Sequence, residues 1–298
     1  MKSYFHMFAN GSEARNFITN EEEMKAAFNR IGVCSSLTQA EVVSFSIEDS
    51  HPHALLWGTL SECQKFKEYY ENISIRCIAR RRGSLDGIRL RCELYEVTDQ
   101  SYLMNVAAYT IIQPTKDGKA IMPFDYLYGS GALYFRSNGV VFPWMIDNEG
   151  KLCQVELFKN LKSREKRRIC GSTILIPDDW TVCNGFILPT NYIDIIRFQN
   201  IYKTHNCYRV FLSSGRDKYK EVLDKMVSVR GIMIDDIEAR SICERTCAEL
   251  FKHKGTRHLT PEQRLELATE LRIRYHISIR QISTMVKVPE EEIRDYLR

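Results

Sequence analysis

EVVSFSIEDSHPHALLWG, residues 41–58, is the stretch on which the fold turns. Val43, Phe45 and Ile47 alternate with other residues at the period of a strand with one face in a core. After a short turn, HPHALLWG supplies a second extended run, so the two are expected to pair antiparallel. Successive side chains of a strand point to opposite faces, so His51 and His53 project from the same side. The chain has seven histidines in 298 residues. An accidental His-x-His arises in roughly one such chain in six, so the pair needs partners elsewhere before it signals chemistry.

Working outward, YFHMFA (4–9) reads as a strand. Asn20 with Glu23 forms a capping-box pattern, followed by a helical stripe of Met24, Ala27, Phe28 and Ile31. Beyond the hairpin, Ser61 with Gln64 is a second box, opening a helix with Phe66, Tyr69, Ile73 and Cys77 on one face. It is expected to end at Arg80, Arg81, Arg82 and Gly83, where cations suit the carbonyl end and glycine the stop. IRLRCELYEV (88–97) reads as a strand with Ile88, Leu90, Cys92 and Leu94 inward and Arg89, Arg91 and Glu93 outward. Asp99 can cap a helix running to about Gln113, stopped by Pro114. The order β-α-β-β-α-β-α predicts an α+β fold, a ferredoxin-like antiparallel sheet with helices on one face. Residues 114–135 are loop-rich and expected to close this first domain, 1–135.

Residues 136–256 form a mixed α/β extension in which no motif carries chemistry; it is a second α/β region or an elaboration of the first. The last domain, 257–298, is helical. Pro261 starts a helix with Leu265, Ala268, Leu271 and Tyr275 on one face. SIRQISTMV (278–286) and a segment opened by Pro289 follow it around a tight turn. That spacing is similar to a helix-turn-helix DNA reader, the alternative being a small bundle for packing or dimerisation. Glu290, Glu291 and Glu292 suit a helix start but oppose contact with DNA.

Forty-four per cent hydrophobic residues suffice for real cores, and the net charge of +4 is too small to be a nucleic-acid signature by itself. The positive charge is bunched, however, in Arg80–Arg82, in KNLKSREKRR (159–168) and between Arg272 and Arg280, which makes a polyanion partner plausible. The ten cysteines contain no CxxC pair, and Cys243 and Cys247 fall one helical turn apart as packing residues. No apolar segment reads as a signal peptide or membrane span. The expectation is a cytoplasmic, nucleoid-associated protein with reduced thiols and no membrane partner.

On the helix after Asp99, Tyr102, Asn105, Tyr109 and Gln113 line one face at spacings of three and four. Tyr109 and Gln113 present a phenol and an amide oxygen to the same place. Beside two imidazoles, an amide oxygen can complete a site for Mg²⁺ or Mn²⁺ with positions left for a phosphate oxygen. A tyrosine nucleophile needs such help, because its ordinary pKa is about 10 and a phosphodiester is anionic.

The order His-hydrophobe-His, then a helical Tyr with an amide residue four later, resembles the single-tyrosine transposases that act on single-stranded DNA. Among them the REP-associated tyrosine transposases carry a Tyr-Ile-x-x-Asn-Pro pattern, mirrored here by YTIIQP (109–114). YFHMFANG near the start and FDYLYGSG (124–131) extend the resemblance over about residues 1–135. It implies a metal-dependent single-stranded DNA endonuclease or strand transferase. In it Tyr109 would attack a DNA phosphate, leaving a 5′-phosphotyrosine and a 3′-hydroxyl. His51, His53 and Gln113 would hold the metal, and the substrate would be hairpin-forming repeats. Arg80, Arg81, Arg82, Arg89, Arg91, Arg280 and Arg294 are the candidate DNA contacts, with a homodimer as a further expectation. Two departures stand out: Pro52 occupies the position of a bulky apolar residue, and SIEDSHPH lacks the family's Met-Pro-Asn. The rivals are a domesticated, inactive DNA-binding protein and a metal-dependent hydrolase that does not use the tyrosine.

Overall fold

The computed structural model describes residues 1–9, 14, 17–48, 51–84, 88, 90–116, 119–136, 141–213, 236–253, 255–273, 275, 277 and 279–296. Arg89, and Asn10 and Gly11 of YFHMFANG, lie outside the described residues. The chain forms two compact units, Met1–Val222 and Leu223–Arg298.

The first unit is α+β. Strands β1 (Ser3–Ala9), β2 (Glu41–Ile47), β3 (Pro52–Gly58) and β4 (Cys92–Val97) form an antiparallel sheet in the order β2-β3-β1-β4. The register sets Phe8 and Ser46 on either side of His53, so His6, Phe8, Ser46 and His53 share one face. Phe5, Met7, Phe45 and Ala54 point to the other. Helices α1 (Glu21–Leu37) and α2 (Leu60–Arg82) cover that second face, with Phe28 of α1 packed at 5.2 Å on Phe45. Helix α3 (Gln100–Lys116) lies on the histidine face, its Tyr109 ring 5.4 Å from His53. This corrects the expectation of helices on one face only. Strands β1, β2 and β3 are buried on both faces over most of their length, as the adjacent leucines 55 and 56 require, whereas the edge strand β4 is partly exposed.

Three local expectations shift. The capping box of α2 is made two residues earlier, with Thr59 N donating to the Glu62 carboxylate (2.8 Å) and Glu62 N to Thr59 Oγ1 (3.3 Å). Gly83, at φ 73°, ends α2 as expected. Strand β4 is shorter than 88–97. Pro114 does not stop α3, which runs on to Lys116. So close to the end, the proline removes a single helical bond, and its carbonyl accepts from Lys119 N at 2.9 Å.

The loop after α3 seals the open edge of β2. Ile47 N donates to Tyr128 O (2.8 Å), Phe45 N to Ser130 Oγ (2.8 Å), and Tyr134 Oη to Val43 O (2.7 Å). The extension then wraps the same unit. A small sheet of β5 (Glu156–Leu157), β6 (Thr181–Cys183) and β7 (Phe186–Ile187) is stitched to α1 by Asn29. Its Nδ2 donates to Ile169 O (3.2 Å) and Gly185 O (2.8 Å), and its Oδ1 accepts from Ile187 N (2.9 Å). Helix α4 spans Ser163–Cys170, α5 Ile195–Tyr202 and α6 His205–Ser213. Arg197 of α5 lies over the Trp57 ring and bonds Glu41 at 2.8 Å.

The second unit packs α7 (Asp236–Phe251), α8 (Pro261–Ile273), α9 (Ile279–Val286) and α10 (Glu290–Tyr296) around one core. Cys243 and Cys247 lie in it beside Leu267, Leu271, Ile282 and Ile293. Lys287, at φ 61°, makes the left-handed turn between α9 and α10. All ten cysteines are thiols rather than disulfides; eight are buried, with Cys153 and Cys207 partly exposed. Among the described residues no helix is long and apolar enough to cross a membrane.

Candidate active site

His53 sits on the central strand β3, second in the strand after Pro52. A proline at the first strand residue leaves the ladder intact from His53 onward. His51 lies just outside the strand, where its carbonyl accepts from Glu48 N at 3.0 Å. The two imidazoles meet edge to face, 4.8 Å between centroids. Asp99 accepts from Tyr102 N (2.7 Å) and so sets the start of α3. Two turns on, Tyr109 stands edge-on to His53 at 5.4 Å. Tyr102, its rival on the same helical face, packs instead on Tyr95 of β4 at 5.7 Å. The structure therefore brings His51, His53 and Tyr109 together.

Three neighbours were not read from the sequence. His6 of β1 places Nε2 3.3 Å from His53 Nδ1 and its ring 6.4 Å from Tyr109. Burial lowers the His6 pKa to about 3, so its ring is neutral. Glu48 is fully buried, with its carboxylate 3.8 Å from both His51 Nε2 and Lys119 Nζ. The signal for His6 was the alternation of YFHMFA, which becomes informative once the β1–β3 register is known. Glu48 and Lys119 stand in turn-like stretches and carry no local signal.

Gln113 follows Tyr109 by one turn. Its Oε1, with Asn105 Oδ1, Ser44 Oγ and Ser46 Oγ, is buried without a hydrogen-bond partner among the described residues. Such atoms between sheet and helix call for a water or an ion. Among the described residues no three His, Cys, Asp or Glu side chains form a metal-holding group. Two imidazoles with an amide oxygen are a different donor set, and one whose chemistry fits a divalent ion. These side chains are buried, with Tyr109 1% and His53 0% exposed.

Three of the arginines lie elsewhere. Arg80 and Arg81 are exposed at the end of α2, the helix on the opposite face of the sheet, and Arg82 bonds Glu23 of α1 (2.8 Å). Arg91 is exposed, 4.0 Å from Glu93. In the second unit Arg280 is exposed and Arg294 pairs with Glu290 at 3.5 Å. A cleft of about 460 Å³ lined by Glu21, Lys25, Asn29, Arg81, Arg168 and Asn184 is likewise away from Tyr109.

No protein-family model and no curated protein matches the chain. Among solved structures it is similar to one described as a REP-associated tyrosine transposase bound to a REP hairpin. The likeness is 14% identity over 43% of this chain and 75% of that chain, with a TM-score of 0.31. At that score the functional reading rests on the site itself.

Proposed function

We propose that this protein is a transposase-like DNA-processing enzyme in which Tyr109 attacks a phosphodiester of single-stranded or hairpin DNA. The observation that carries the reading is Tyr109 set edge-on against His53, with His51 beside it. The strand order β2-β3-β1-β4 with α1 and α2 on one face supports a ferredoxin-like core. His51, His53 and Gln113 would hold Mg²⁺ or Mn²⁺, which polarises the phosphate when bound. Tyr109 Oη forms a bond to phosphorus as the bond to the 3′ oxygen breaks. The phenol loses its proton and the departing oxygen gains one, leaving a 5′-phosphotyrosine and a 3′-hydroxyl. The second unit would add DNA contacts through residues such as Arg280.

Labelled hairpin DNA incubated with the protein and Mn²⁺ tests this on a denaturing gel, with mass spectrometry of the adduct. Wild type should become covalently attached at Tyr109, and Tyr109→Phe should not. An adduct at Tyr102, or cutting undiminished in Tyr109→Phe, would sink the assignment. Cutting with no adduct would favour the hydrolase. The burial of Tyr109 and His53 favours a second reading, a domesticated protein that binds hairpins without cutting. Binding without an adduct in wild type would select it.

A further inference from the structure

We infer that His6 is a positioning residue, accepting a hydrogen bond from His53 Nδ1–H and so turning His53 Nε2 toward the metal and the scissile phosphate. This rests on the metal-dependent reading above and goes beyond it, since it adds a residue that binds neither metal nor DNA. The geometry is specific. His6 Nε2 is 3.3 Å from His53 Nδ1, the rings lie within 20° of parallel at 5.5 Å, and both residues are fully buried. The contact is built by the sheet, because Phe8 is the register partner of His53 and His6 lies two residues along the same face of β1. With Nδ1 engaged by His6, Nε2 is the His53 nitrogen that can meet a metal. An N–H···N bond between two neutral imidazoles has two directions. Coordination through Nε2 leaves the His53 proton on Nδ1, which makes His53 the donor and His6 the acceptor. Metal-bound histidines generally donate their other ring N–H to an acceptor, usually a carboxylate, a carbonyl or water, and loss of that partner weakens the metal about 10- to 100-fold; here the neutral His6 ring takes that place.

The test uses the full chain and three measurements. Mn²⁺ affinity is read by the electron paramagnetic resonance of unbound Mn²⁺ for wild type, His6→Phe and His6→Gln. His6→Phe keeps a ring but removes the acceptor; His6→Gln restores an acceptor oxygen. The expected result is a loss of about 10- to 100-fold in His6→Phe and substantial recovery in His6→Gln. The ¹⁵N spectrum of Mg²⁺-loaded wild type should show His53 protonated at Nδ1, which needs no variant to fold. Wild-type affinity in His6→Phe, or His53 protonated at Nε2 under saturating Mg²⁺, would overturn the role of His6 and leave the proposed function standing. Failure of wild type to bind Mn²⁺ at all would overturn both.

Discussion

His53 reaches Tyr109 because Pro52 opens β3 instead of interrupting it. A proline in mid-strand would remove a ladder donor from the central strand; at the first residue, paired with Ile47, it removes none that the sheet uses. The histidine pair and the tyrosine were legible because each follows a short-range period. His6 was not, because its relation to His53 exists only in the strand register. Charge was the poorest guide, since a run of arginines does not say which of them already has a partner. Arg82 has one in Glu23. Burial pushes the Glu23 carboxyl up, but hydrogen bonds from Arg82 and from the Thr19 amide and hydroxyl outweigh it and hold the group below its ordinary value. A depressed folded pKa contributes stability above the unfolded value of about 4.3 and loses it as pH falls through the folded value. Glu23→Gln should therefore cost about 1–3 kcal/mol in urea unfolding at pH 7. The gap to wild type should close in the acid range, and a gap independent of pH would refute the pairing.

The elements read best were those with their own internal period. Strands β1 and β2 and helices α1 and α2 have one, and they fall close to where alternation and helical stripes put them. The segment between Arg136 and Ser213 has little. Its strands are two or three residues long, and they are held by long-range bonds such as those of Asn29. The closing loop shows how much structure such bonds make. Gly131 approaches Pro123 so closely that an added Cβ would lie 2.5 Å from its carbonyl oxygen. That close approach brings Ser130 to β2, where its hydroxyl accepts from Phe45 N and donates to Phe45 O (3.1 Å). Ser130→Ala strands a buried amide at the centre of the edge, so unfolding free energy should drop by about 1–3 kcal/mol. Hydrogen exchange should show which amide is affected: Phe45 should lose protection while the β1–β4 pairs keep theirs. Equal loss across the sheet would mean that the loop does more than seal β2.

At the level of the whole chain, the candidate site belongs entirely to the first unit. The helices after residue 257 share one core with α7, which contributes Ala239, Ile242, Cys243 and Cys247 to it. Removal of residues 223–298 is thus the informative truncation. It should leave adduct formation intact and weaken DNA binding. The salt dependence should flatten by about 0.7 in log–log slope for each single-strand phosphate that the shortened protein no longer neutralises. An unchanged slope would assign the second unit to protein contacts, which the acidic start of α10 would suit. The thiols have a consequence of another kind. Burial raises the Cys63 and Cys243 pKa values to about 12 and so quenches their nucleophilicity. Each becomes reactive only when its own helix lets water in. With Cys63 at the start of α2 and Cys243 inside α7, the molecule carries a native chemical clock for local breathing in each of its two units, read separately and without an introduced label.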